Sequence, residues 1–258
     1  MHWIIQDSGG KHYNWTALYS AVISTGGSAE YCQLEKIKEY KSSAQPSIIF
    51  GGEDFLTAAL DNKNLYCVIF HDNDFFRVDN YIKIWGNDYL NYDTFFYNPK
   101  GTYTRKEGDF FVRPLLDTKC FDGGIYHVVD GKAFRFEQCV HCIENTTCMC
   151  FSEVKSVNTE WRVVIVLDKI VSVCQYAVNG VTCVDETNIP NEVFRFAEKI
   201  IKKARSFSPR AWVLDVAFTN IGYKVIEANL FNASNLYNCD REAIVRSIED
   251  ILPIIGTQ

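Results

Sequence analysis

Short apolar runs alternate with helix-spaced patterns through the first third of the chain. Residues 3–6 form a compact apolar run of strand type, and Tyr13–Ser24 repeats apolar side chains at Trp15, Leu18, Tyr19 and Val22, one face of a helix. Ser47–Phe50 gives a second strand, Gly51-Gly52 opens a helix through Leu60, and residues 66–70 give a third strand. Strand and helix in alternation predict a small α/β layer over residues 1–95. The turn composition Asn98-Pro99-Lys100-Gly101 then marks a linker, and the pattern changes to paired strands over residues 96–258. A strand over 110–114 is stopped by Pro114. Strands over 125–129 and 133–137 join across Asp130-Gly131, a strong hairpin turn. Further strands fall at 147–151 and 163–167. Residues 191–206 carry Phe194, Ala197, Ile200, Ile201 and Ala204 on one helical face, with cations gathered toward the end as the helix dipole favours. Asp240 caps a last helix that runs to Leu252 and ends at Pro253. The class is α+β, with a preceding α/β layer.

Composition narrows the function more than the fold. At 258 residues with 47% apolar and 22% charged side chains, the chain buries a sizeable core. A formal net charge of −6 argues against a nucleic-acid surface, which needs a basic patch. The start MHWIIQDSGG lacks the cationic and apolar regions of a signal peptide. No apolar stretch approaches the roughly 20 residues of a membrane span, so a cytoplasmic protein is expected. The ten cysteines then read as reduced thiols packed as small hydrophobes. Cys139, His141, Cys142, Cys148 and Cys150 loosely suggest zinc, but their spacing matches no common module, and strand alternation scatters such residues by itself. Gly-Gly pairs at 9–10, 26–27 and 51–52 match no phosphate-loop pattern and read as strand-to-helix turns.

The densest candidate chemistry lies in residues 212–229, WVLDVAFTNIGYKVIEAN, two β-branched runs around a turn. Val213, Asp215 and Ala217 share one face of the first strand; Tyr223, Val225, Glu227 and Asn229 share one face of the second. A three-residue loop of Asn220, Ile221 and Gly222 pairs Thr219 with Tyr223 and sets Asp215 opposite Glu227. Facing carboxylates repel unless a cation sits between them, and the Asn229 carbonyl completes an all-oxygen set of the kind Mg²⁺ prefers. The alternative is a half-exposed hairpin with a solvated polar face.

Asp on one strand followed by Glu-x-Asn on the next resembles the metal-binding end of the ATP-grasp fold. The resemblance is closest to its small phage and bacterial clade, marked by an arginine–lysine exchange at a phosphate-contacting position. Here Arg113 stands at the end of a strand, with Lys119 and then Gly123-Gly124 following. In the family a cation at this place contacts ATP phosphates, and the glycines let the backbone approach them. The resemblance likewise implies that Glu153 and Val154 lie at the adenine hinge, that Glu160 binds the ribose, and that Arg162, opening a strand, sets a positive charge on the transferring phosphate with Lys119. Asp215, Glu227 and Asn229 would hold Mg²⁺. Without the family, the Arg-Pro and Gly-Gly turns read as a surface hairpin, and Glu153 and Glu160 as solvated strand-end acids.

What the resemblance implies is an ATP-grasp fold, two α+β lobes clasping Mg-ATP behind the α/β layer, in the cytoplasm of a bacterium or a phage-infected host. The implied activity is a carboxylate–amine ligase: a carboxylate attacks the γ-phosphate, and an amine displaces phosphate from the acyl-phosphate to leave an amide. The partners are ATP and undefined carboxylate and amine substrates (amino acid, peptide or protein tail), with no nucleic acid and no membrane. A phosphotransferase on the same fold, or a non-catalytic phage-encoded interaction protein, are the alternatives.

Overall fold

The computed structural model describes residues 2–9, 13–41, 46–72, 74–97, 107–116, 123–129, 132–135, 138–139, 149–185 and 188–255. The first layer is a parallel sheet of β1 (His2–Gln6), β2 (Ser28–Cys32), β3 (Ser47–Phe50) and β4 (Cys67–Val68), in the order β2-β1-β3-β4. It carries α1 (Tyr13–Ser24), α2 (Leu34–Ile37) and α3 (Glu53–Asp61). All of β3 is buried, as expected of a parallel strand covered on both faces. The chain continues through α4 (Val78–Trp85) into two antiparallel sheets. One comprises β5 (Phe95–Tyr97), β6 (Gly108–Pro114), β7 (Gly124–Val129), β8 (Lys132–Arg135), β9 (Gln138–Cys139) and β10 (Met149–Glu153), in the order β5-β10-β6-β7-β8-β9. The other comprises β11 (Val157–Val166), β12 (Lys169–Val178), β13 (Val181–Asp185), β14 (Ala211–Thr219) and β15 (Gly222–Leu230), in the order β13-β12-β11-β14-β15, with α5 (Asn191–Ala204) and α6 (Arg241–Ile255).

Alternation in this last sheet decides where everything else sits. Val163, Ile165, Trp212, Leu214 and Val216 form one cluster with residues of α4 and α5. Their neighbours Val164, Val166, Ala211 and Val213 join Trp3, Ile5, Leu18, Ile48 and Phe50 of the first layer, together with α6. Each strand therefore buries both faces. Asn232, fully buried after β15, ties the first layer down. Its Nδ2 donates to the Ile49 carbonyl at 2.7 Å and lies 3.3 Å from that of Val68, and its Oδ1 accepts from the Phe70 N–H at 2.9 Å.

Several sequence expectations need correction. The strand read over 66–70 is paired only at Cys67–Val68. Strand β11 begins at Val157, so Arg162 lies mid-strand rather than opening one. Strands β2, β12 and β13 and helix α4 go beyond the elements that the hydrophobic pattern predicts. For β12 and β13 the sequence does carry a signal: Asn179-Gly180, both at positive φ, is the residue pair that a tight two-residue hairpin favours. Helix α6 runs past Leu252 and through Pro253 to Ile255. Its cap is as expected, since the Ala243 N–H donates to Asp240 Oδ1 at 3.0 Å. The expected linker 98–101, the turn 130–131 and most of the cysteine cluster (His141, Cys142 and Cys148) lie outside the described residues.

Candidate functional site

The hairpin sets Asp215 opposite Glu227 as expected, but by a different route. The turn has two residues, Asn220 and Ile221, so Thr219 pairs with Gly222 at φ 95° and Phe218 with Tyr223. The register then shifts between Val216–Val225 and Asp215–Glu227, leaving Ile226 as an extra residue on β15. That bulge reverses the alternation. Tyr223 and Val225 therefore face the α5 side, where Val225 is fully buried, while Glu227 and Asn229 face Asp215 and Val213. Tyr223, Val225, Glu227 and Asn229 do not share one face, and the expectation that they do is corrected. Without the bulge, Glu227 and Asn229 would point into an apolar core.

Each carboxylate of the pair meets a guanidinium from a different strand. Asp215 is 1% exposed and Arg162 7%. Arg162 Nε donates to Asp215 Oδ1 at 2.9 Å and Nη2 to Oδ2 at 2.7 Å; Asn229 Nδ2 adds a bond to Oδ2 at 3.1 Å. Burial pushes the Asp215 carboxyl toward its neutral form, yet Arg162 is left still more firmly charged, because Asp215 outweighs desolvation there. The two directions disagree, and the geometry decides between them: two donors on two oxygens is the bond of an ionised carboxylate. Across the cleft, Arg113 on β6 places Nη1 2.9 Å from Glu227 Oε2. A side chain at Gly123 would meet the Phe111 ring at 3.2 Å and the Arg113 Cβ at 3.4 Å, so this glycine lies directly against Arg113. Gly124 follows as the partner of Val112. Lys119 lies outside the described residues.

Glu160 and Arg162 share the β11 face that carries Val164 and Val166. The two hydrophobes are buried against the first layer, whereas the polar pair lies further toward the start of the strand. Glu160 is half-buried and accepts from the Tyr176 hydroxyl at 2.6 Å. Burial pushes its carboxyl up, the Tyr176 bond holds it down, and the nearby Asp215 and Glu227 charges add to the rise. Tyr176 is itself the extra residue where β12 slips against β11 between Glu160 and Trp161. Its ring stacks on Tyr237 with centroids 5.0 Å apart, and both rings lie within 5.4 Å of the Arg162 guanidinium carbon. Arg162 Nη1 donates to the Asn235 carbonyl, which leaves each of its nitrogens engaged. Sequence reasoning misses Tyr176, Tyr237 and Asn235. The bulge that aims Tyr176 and the positive φ of Tyr237 (44°) leave no periodic mark on the chain.

At the hinge between the two sheets Glu153 and Val154 are exposed. The Glu153 N–H donates to Asp93 Oδ2 at 3.3 Å, and Lys155 Nζ donates to Asp93 Oδ1 at 2.5 Å. The structure therefore brings Arg113, Gly123, Glu160, Arg162, Asp215, Glu227 and Asn229 into one network and leaves Glu153 and Val154 at its rim.

Two carboxylates and an amide on one hairpin face are a donor set suited to a hard divalent cation such as Mg²⁺. Among the described residues no group of three or more His, Cys, Asp or Glu side chains is arranged to hold a metal. Any metal here would depend on that mixed set.

A family model for an ATP-grasp domain, family 2 of the clade named for its arginine–lysine exchange, matches residues 93–247. No curated protein matches the chain in sequence. Among solved structures, D-cycloserine synthetase DcsG is similar at a TM-score of 0.64 and 11% identity, over 97% of this chain and 99% of that one. D-alanine–D-alanine ligase from Bacillus anthracis complexed with ATP reaches 0.61 at 10% identity, over 98% and 97%. A RimK domain ATP-grasp protein from Sphaerobacter thermophilus reaches 0.59 at 14%, over 98% and 100%. At these identities the likeness is one of fold.

Proposed function

Because the chain belongs to family 2 of the arginine–lysine-exchange clade of ATP-grasp domains, we propose that it joins a carboxylate to an amine with hydrolysis of ATP. One observation carries this reading: Asp215 faces Glu227, with Asn229 two residues on, and guanidiniums from two other strands balance the two carboxylates. Bound to Asp215, Glu227 and Asn229, Mg²⁺ would supply charge neutralisation across the phosphate oxygens. The chain's own residues do the rest. Arg113 exchanges Glu227 for a phosphate oxygen, and Gly123 and Gly124 leave room for the phosphates to approach the backbone beside it. Arg162 keeps Asp215 ionised and sets a fixed positive charge beside the transferring phosphate, and Lys119 adds a second. Glu160 takes the ribose hydroxyls, and the Glu153–Val154 hinge takes the adenine.

A substrate carboxylate attacks the γ-phosphate, and an amine then displaces phosphate from the acyl-phosphate. No side-chain nucleophile is needed, because positioning and charge neutralisation suffice. Among the described residues no helix is long and apolar enough to cross a membrane, and a cytoplasmic site of action suits an ATP-consuming ligase. The test is a screen of amino acids and peptides for phosphate release from Mg-ATP, with products weighed by mass spectrometry. An amide product is the expected result. A phosphorylated product would make the chain a phosphotransferase, and no release with any acceptor would leave the ligase reading without support.

A further inference from the structure

Behind Arg162, on the core side of the same sheet, two cysteines from distant parts of the chain meet. Cys174 sits on β12 directly opposite Arg162, and Cys239 lies in the turn before α6. They are 0% and 2% exposed. The Cys239 thiol donates to Cys174 Sγ at 3.2 Å, about 1 Å beyond a covalent S–S bond of about 2.05 Å. Each sulfur also lies against the backbone that cages Arg162: Cys174 Sγ is 3.9 Å from the Leu236 carbonyl, and Cys239 Sγ is 3.9 Å from that of Arg162. The two segments are already pinned beside the pair, because the Asp240 N–H donates to Ser172 Oγ at 2.8 Å. Joining the sulfurs therefore calls for side-chain movement rather than a new backbone path.

We propose that Cys174 and Cys239 are an oxidisable dithiol, a modification site at which hydrogen peroxide closes a disulfide between β12 and the 235–240 loop that holds Arg162. Cys174 is the attacking sulfur. The bond donated by Cys239 lowers the Cys174 thiol below its ordinary value, and the same bond raises that of Cys239. The Cys174 thiolate takes one peroxide oxygen, the O–O bond breaks, and hydroxide leaves and is protonated to water. Cys239 then attacks the sulfenic sulfur: the S–S bond forms, the S–O bond breaks, and a second water leaves. Two thiols and one peroxide thus give one disulfide and two waters. The outcome is a covalent tie across the loop that carries Asn235 and Tyr237.

The experiment uses the full chain, folded, treated with hydrogen peroxide. Remaining thiols are alkylated after denaturation, and peptides are mapped by mass spectrometry. The expected result is a Cys174–Cys239 cross-linked peptide, two hydrogens lighter than its parts and released by dithiothreitol. It should persist in Cys183→Ser, which removes an exposed thiol, and vanish in Cys239→Ser. The oxidised protein should melt several degrees higher than the reduced one, because the bond constrains the unfolded chain. Recovery of Cys174 and Cys239 as separately alkylated thiols while Cys183 is oxidised would overturn the proposal. So would a cross-link that forms only in denaturant, or one that lowers the melting temperature. The wild-type cross-link decides the matter even if a cysteine variant fails to fold, and it does so independently of any ligase activity.

Discussion

Asp215 and Glu227 face each other, yet they sit in different solvent environments, and substitutions should separate them. Asp215 is sealed in, so removing its partner strands a buried charge. Arg162→Met should therefore lose roughly 3–5 kcal/mol of stability, read from urea unfolding. Glu227 is about a quarter exposed, and Glu227→Gln keeps the shape and one carbonyl oxygen. Its stability should stay within about 1 kcal/mol of wild type, while Mg-ATP-dependent phosphate release falls by orders of magnitude. Wild-type turnover in folded Glu227→Gln protein would make this hairpin scaffold only. The pair of results distinguishes a charge that is structural from one that serves chemistry.

The informative feature at the scale of elements is the bulge in β15. Deleting Ile226 restores strict alternation and turns Glu227 and Asn229 toward the apolar α5 side. The variant should be strongly destabilised, and any folded fraction should show no thermal shift with Mg-ATP. Helix α5 offers a second test, since Lys199 and Lys203 both reach Asp88 at 2.8 Å. Burial would raise the Asp88 carboxyl, but the two lysines outweigh it and hold it below the ordinary value. A depressed folded pKa stabilises above the unfolded value, about 3.9, and that stability is lost as pH falls through the folded value. Asp88→Asn should thus be slightly less stable than wild type at pH 7. The gap should close on acid titration below about pH 4, measured by thermal melts.

At the scale of the whole molecule, the first layer and the last sheet share one core, and Asn232 spans their junction. Asn232→Ala leaves backbone groups of Ile49, Val68 and Phe70 without that partner and should cost roughly 2–4 kcal/mol. Nucleotide should act in the opposite direction. If the network binds Mg-ATP, ligand at about 100 times Kd adds about 2.7 kcal/mol, a rise of roughly 5–10 °C in Tm for a chain of this size. No shift at millimolar nucleotide would remove the basis of the proposed function.

The α+β class, the strand–helix alternation of the first layer, the amphipathic α5 and the facing of Asp215 and Glu227 are legible in the residues alone. Each follows from period, turn chemistry or residue type, which are local properties of the chain. The Asp-to-Glu-x-Asn spacing, with Arg113 and Glu160 upstream, is enough to show the family resemblance without coordinates. Which neighbours those residues keep is a matter for the folded chain. Bulges at Ile226 and Tyr176 shift register by one residue, a change that hydrophobic alternation cannot encode because it preserves the composition of both faces. The guanidinium that meets each carboxylate, the tyrosines around Arg162 and the meeting of Cys174 with Cys239 all depend on pairing between segments far apart in the chain. Such contacts are set by which faces the last sheet buries, and that is settled only when the layers close on one another.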